Sequence, residues 1–284
     1  MRIASRTKNL VSHSAFIFSV MLLISSCGDV PTDREQSLEE FTPEQIFERA
    51  EYEFQRGNIS DATWYFSEVE RLYPYSNLSR RALIMQAYVH HSGKEYEEAR
   101  SAAQRFLDFF PADEDASYAQ YLLALSYYDQ IDEVGRDQGL TFQALQALRG
   151  VIERYPDSIY ADSAKLKFDL AFDHLAGKEM EIGRYYLRRG HFNSAINRFR
   201  VVIEDYQTTS HTPEALHRLV EAYLSLGLEN QAQTAGAILG HNFRSTTWYE
   251  NSYWLLTKQG RKPEVTGNNW LAQIFRQSLK GEWL

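Results

Sequence analysis

An all-α solenoid of five helix pairs with a C-terminal capping helix is the fold class this sequence predicts, and three observations predict it. Alanines recur at Ala62, Ala99, Ala144, Ala195 and Ala232, each eleven residues before an aromatic: Tyr73, Phe110, Tyr155, Tyr206 and Phe243. Seven residues after each alanine stands an apolar side chain, Val69, Phe106, Val151, Val202 or Leu239. Five before it, in several copies, stands a glycine, among them Gly57, Gly190 and Gly227. A small residue lets two antiparallel helices approach closely, glycine supplies a left-handed turn between them, and the aromatic fills the gap to the next pair. One such pair cannot bury its apolar face. Stacking several buries a continuous one and lines the concave side with the first helix of each pair.

The elements follow in order. Residues 1–26 have the layout of a signal peptide: Arg2, Arg6 and Lys8 with no acid, an apolar run from Ala15 to Ile24, and small residues before Cys27. Ten apolar-rich residues are too few to cross about 30 Å of hydrocarbon. Ile24-Ser25-Ser26-Cys27 resembles the bacterial lipobox, which makes Cys27, the only cysteine, the expected site of lipidation. A solitary thiol in an exported chain cannot close an internal disulfide, and a lipid anchor accounts for it. Residues 27–42, rich in acids from Asp29 to Glu40, read as a flexible acidic tether.

Residues 43–259 hold the five repeats, whose columns sit at the spacings of the tetratricopeptide repeat. Proline follows the aromatic at Pro74, Pro111 and Pro156 and stops the second helix, while Gln207 and Arg244 take that place in the last two copies. The alanine spacings are 37, 45, 51 and 37. The extra eight residues of the second interval fall in the polar stretch from Asp129 to Gly139. The extra fourteen of the third fall between Pro156 and Gly183, where Leu166, Leu170, Ala171, Leu175, Ile182, Tyr185 and Tyr186 keep helical spacing. Fourteen residues are close to four turns, about 21 Å, so one unusually long helix, or two nearly collinear ones bent at Gly177, keeps the buried face in register. Residues 260–284 comprise a polar linker and an amphipathic helix carrying Trp270, Leu271, Ile274, Phe275 and Leu279, expected to cap the last pair.

Composition narrows the function. The chain is 44% hydrophobic, enough for a core, and carries net charge −8; removing residues 1–26 takes three bases and no acid, leaving −11. Without a basic stripe there is no nucleic-acid surface, and membrane attachment falls to lipid. No metal-ligand spacing, nucleophile elbow, phosphate loop or dinucleotide fingerprint occurs, so neither enzyme nor cofactor is expected. His90 and His91 point about 100° apart on a helix. The acids Asp129, Asp132, Glu133 and Asp137 lack the order and terminal glutamate of a calcium loop.

With the lipobox and five repeats, certain segments resemble the BamD family, the outer-membrane lipoproteins of the barrel-assembly machinery. They are Ala50-Glu51 through Gly57, Phe66 through Pro74, and above all the run from Asp173 to Tyr186, followed by Arg189-Gly190 and Ala195 to Phe199. Departures are Lys94 in the glycine column and Gln207 and Arg244 in the proline column. The resemblance implies a non-catalytic lipoprotein on the periplasmic face of the outer membrane, with a POTRA-bearing insertase, sibling lipoproteins and unfolded barrel proteins as partners. It places substrate on the N-terminal repeats and the insertase on the C-terminal ones. Gly28 after the cysteine is not the aspartate that favours inner-membrane retention. A repeat scaffold for another envelope complex, such as cell-wall synthesis, is the alternative.

Projected from the repeat columns, Phe47, Phe54, Tyr88, His91, Tyr121 and Tyr128 fall on the first helices of the first three pairs, as a candidate peptide groove. Aromatics offer contact area at small entropic cost. Arg198, between Asn197 and Phe199, is expected to face outward for docking, with Arg218, Glu221 and Tyr223 extending the patch. Alternatively Arg198 pairs within the chain with Glu204, Asp205 or Glu221.

Overall fold

The computed structural model describes residues 38–134 and 137–283. Among these the chain forms a 3-10 turn, Leu38–Glu40, then twelve α-helices and no strand. Five antiparallel pairs come first: α1 (Pro43–Gln55) with α2 (Ile59–Leu72), α3 (Asn77–Ser92) with α4 (Tyr96–Phe109), α5 (Ala116–Tyr128) with α6 (Gly139–Arg154), α7 (Ala161–Arg188) with α8 (Phe192–Asp205), and α9 (Thr212–Ser225) with α10 (Glu229–Asn242). Two more helices, α11 (Thr247–Lys258) and α12 (Trp270–Leu279), complete the chain. Each helix from α1 to α10 packs on the next, and the first helices of successive pairs also touch. This is the tetratricopeptide-repeat solenoid that the columns predict.

The columns do what their chemistry requires. All five alanines are fully buried, as are the five residues seven positions on. Every aromatic of the fourth column is the C-cap of a second helix, with φ between −128° and −135°. Its carbonyl then accepts from the backbone N–H three residues later, in all five copies. Tyr206 and Phe243 do this without a following proline. The aromatic's non-helical backbone, with ψ between 33° and 54°, therefore ends the helix, and proline only reinforces it.

The turn inside the first, second, fourth and fifth pairs is equally regular, while a longer connection joins α5 to α6. Gly57, Gly190 and Gly227 take φ of 79°, 75° and 73°, closing Schellman motifs such as Gly57 N–H to Phe54 and Asn58 N–H to Glu53. Lys94 adopts the same conformation, φ 61°, and its amide bonds to His91 in the same way. It is the one described residue other than glycine with positive φ. The repeat geometry imposes the turn even where the side chain resists it.

Helix α1 is entered through a capping box, Thr42 accepting from Gln45 N–H while the Gln45 side chain accepts from Thr42 N–H. Residues 38–42, the end of the predicted tether, thus belong to the fold, and Leu38 packs on the α1–α3 core. Cys27, the signal segment and the rest of the tether lie outside the described residues.

Helix α7 is one unbroken helix of 28 residues, about 42 Å at the standard rise, and Gly177 does not interrupt it. Its N-terminal half buries Ala164 against Leu148 and Val151 of α6. Its C-terminal half buries Met180 among Ala195 and Phe199 of α8.

At the C-terminus the chain begins a sixth pair and abandons it. Helix α11 is capped by Thr246 as α3 is by Ser76, and Gly260, φ 71°, ends it as Gly57 ends α1. The segment that follows contains Pro263 and runs along α10, where Gln233 donates to Lys262 C=O and its own C=O accepts from Glu264 N–H. That path delivers α12 onto α10 rather than α11. Leu271, Ile274 and Trp283 join the last core, the Trp283 indole donating to Ile203 C=O at 3.1 Å. Helix α12 is the expected cap.

Candidate binding surfaces

The aromatics assigned to the groove form a seam joining the first helices of neighbouring pairs. Phe54 on α1 meets Tyr88 on α3 edge to face, with centroids 5.5 Å apart. His91 Nε2, near the end of α3, lies 3.0 Å from Asp129 Oδ2 beyond α5. Tyr121 on α5 shares a 2.7 Å hydrogen bond with Ser163 on α7 and stacks on Tyr160. Tyr128 carries the Lys167 ammonium over its ring at 5.0 Å. All five stay half-buried, so each ring packs one edge inward and presents another. Phe47 is different: it is 4% exposed and packs edge to face on Phe66, 5.1 Å away. It belongs to the core, as do the residues fifteen positions before the alanine in the second, fourth and fifth copies, Ile84, Met180 and His217. The sequence projection also missed Tyr118, which stacks on Tyr160, and whose burial pushes its phenol pKa up, keeping it neutral.

The expected docking residues divide. Arg198 does face outward and is 42% exposed, but its guanidinium bonds to Glu179 of α7 at 3.0 Å. The three acids expected as partners within the chain, Glu204, Asp205 and Glu221, do not bind it; Glu204 pairs with Arg200 and Glu221 with Arg218. Beside Arg198 lies a hollow of about 300 Å3 bounded by Tyr186, Asn197 and Val201. Arg218 is held by Glu214 at 3.2 Å and Glu221 at 2.8 Å and covers the ring of Trp248 on α11. Glu214 also binds Arg184, so a charged seam continues the aromatic one across α7 and α9.

The Glu221 carboxyl sits below the usual carboxylate range. Burial raises its pKa, but His217 at 3.6 Å and the Arg218 hydrogen bond together lower it further. At that distance the His217 contact is electrostatic. Tyr223 is 5% exposed, its hydroxyl accepting from the Trp270 indole at 3.2 Å. It anchors α12 and offers nothing to a partner, since the capping helix covers it.

The run from Asp173 to Tyr186 holds this region together. Asp173 accepts from the Ser210 amide and hydroxyl at 2.9 and 2.7 Å, pinning the turn after α8. Glu179 takes Arg198, Met180 enters the core and Arg184 reaches Glu214. A Cβ on Gly183 would lie 2.4 Å from the Phe199 ring, so α7 and α8 touch there as closely as two helices can. Ser210, Asp173 and His211 do not form a nucleophile relay, because the serine donates to the aspartate rather than to the imidazole. Among the described residues no group of three His, Cys, Asp or Glu could hold a metal ion, and no helix is long and apolar enough to cross a membrane.

Known proteins resemble this chain over most of its length. Residues 39–238 match the model of a family described as YfiO, outer membrane lipoprotein. The chain is 47% identical to the outer membrane protein assembly factor BamD of Caulobacter vibrioides, over 88% of this chain and 82% of that one. It is 44% identical to the protein of the same name from Rickettsia prowazekii, over 67% and 76%, and 28% identical to that of Neisseria meningitidis, over 83% and 92%.

Proposed function

The chain belongs to the YfiO family of outer membrane lipoproteins, and from that premise we propose that it is a non-catalytic subunit of outer-membrane protein assembly, anchored through Cys27 on the periplasmic face. The observation that carries this is the 47% identity to a named assembly factor across nearly the whole repeat array. In this reading the half-buried rings Phe54, Tyr88, Tyr121 and Tyr128, with His91, receive extended segments of unfolded barrel proteins. Their exposed edges supply apolar contact without a deep pocket, which suits many sequences rather than one.

The POTRA-bearing insertase docks at Arg198, with the adjacent hollow taking an apolar side chain. Arg198 is the open member of its pair, 42% exposed against 19% for Glu179, so the guanidinium can turn toward a partner carboxylate at a modest cost to the fold. Arg218 and Glu221 serve the seam more than the partner, being engaged with each other and with Trp248. The test is binding of Arg198→Glu to the purified POTRA region, with thermal unfolding measured beside it. The reading expects weaker binding at an unchanged melting temperature. A variant that binds normally while melting early shows that Arg198 serves the fold instead.

A further inference from the structure

Along the N-terminal half of α7, Asp162, Leu166 and Leu170 follow at intervals of four, and Asp169 and Asp173, also four apart, run beside them, so one stripe sets two leucines among three carboxylates. Leu166 is 62% exposed and Leu170 53%. Both line a hollow of about 430 Å3 whose opposite wall is the turn at residues 208–210. Its two walls are held together, since Asp173 binds both the amide and the hydroxyl of Ser210. Asp162 and Asp169 have no ion-pair or hydrogen-bond partner among the described residues.

We propose that this hollow docks an amphipathic helix of a partner protein, seating apolar side chains one turn apart against Leu166 and Leu170 and setting Lys or Arg side chains against Asp162 and Asp169. Charge complementarity fixes the sign: the three carboxylates beside the apolar strip outnumber the one exposed lysine among them, Lys165, so the stripe repels acids and attracts bases. Geometry favours a helix. The two leucines stand about 6 Å apart along the α7 axis, the spacing that i and i+4 residues of a second helix present. An added β-strand would need free backbone donors, and the turn offers few: Thr209 N–H is bound to Tyr206 C=O and Ser210 N–H to Asp173. This surface includes neither the aromatic seam nor Arg198, and it does not rest on the roles proposed for them.

The experiment places a photo-crosslinking residue at position 166 of the full-length chain in its native membranes and sequences the captured segment. The expected segment carries apolar residues at i and i+4 with at least two interspersed Lys or Arg. Capture of a segment alternating with period two, of a second copy of this chain, or of nothing overturns the proposal. Capture by the doubly substituted chain Asp162→Lys, Asp169→Lys is expected to fall at least tenfold, while its binding to the POTRA region stays unchanged. Undiminished capture overturns the charge assignment and with it the proposal. Asp162 lies in the first turn of α7, so its replacement by lysine is expected to lower the melting temperature slightly without unfolding the chain, and Leu170→Gln gives a second, uncharged variant expected to lose capture at position 166 in the same way.

Discussion

Replacing Gly183 with alanine tests how tightly the fourth pair is closed. The new Cβ would meet three atoms of the Phe199 ring at 2.4, 2.8 and 2.9 Å, against an ordinary contact of about 3.5–4.0 Å. Phe199 is fully buried among Ala195, Val202, Leu216 and Leu219, so the ring has nowhere to swing. Overpacking of this kind costs about 1–3 kcal/mol, and the upper end applies to a clash with a rigid ring. Alanine regains about 1 kcal/mol of helix propensity over glycine. The expected net loss is therefore about 1–2 kcal/mol. Urea unfolding followed by far-ultraviolet circular dichroism reads it, with Phe199→Leu and the double variant completing a cycle. Shortening the ring removes the obstacle, so the double variant should exceed the stability expected from adding the two single losses by about 1 kcal/mol. Strict additivity, or a Gly183→Ala midpoint equal to that of the parent, refutes the close approach.

Three further outcomes follow from local physics. Lys94→Gly should raise stability by about 0.5–1 kcal/mol, since relief of a left-handed lysine outweighs the added freedom of the unfolded chain, and a lower urea midpoint would contradict it. Trp283→Ala removes a buried indole and its bond to Ile203, so it should cost about 3–5 kcal/mol, with hydrogen exchange speeding first in α10 and α12; uniform exchange at the parent rate would contradict the capping role. Glu221 has a folded pKa below its ordinary value, so its contribution is complete above pH 4.5 and fades as pH falls through the lower folded value; Glu221→Gln should flatten that acid limb of the stability profile, and an unchanged slope would contradict the assignment.

Much of this was legible in the sequence because a repeat states its own packing rules five times. The alanine, glycine and aromatic columns each mark a contact that recurs between equivalent helices, and Lys94 shows that the register survives a poor residue. The long α7 was legible because an insertion of nearly whole turns leaves the buried face in place. What escaped were contacts that repetition does not encode. Helix α11 begins a pair that is never completed, so no second alanine column announces it. Tyr223 projects outward from an isolated repeat and is covered only because α12 returns over α10. Arg198 found Glu179, nineteen residues earlier, because helix pairing brings α7 alongside α8, whereas the acids expected on α8 and α9 are turned elsewhere, Glu204 to Arg200 and Glu221 to Arg218. Phe47 failed because its repeat position, fifteen before the alanine, faces the partner helix and is buried in other copies as well, at Ile84, Met180 and His217.

The most direct measurement of the central claim is the amount of folded barrel protein in the outer membrane after the chain is depleted from its own cells, read by heat-modifiable mobility in gels. A role in outer-membrane assembly predicts that folded barrels fall together across several unrelated proteins and return when the full-length chain is restored, but not when Cys27→Ser replaces it. Barrel levels that hold steady through depletion would contradict it.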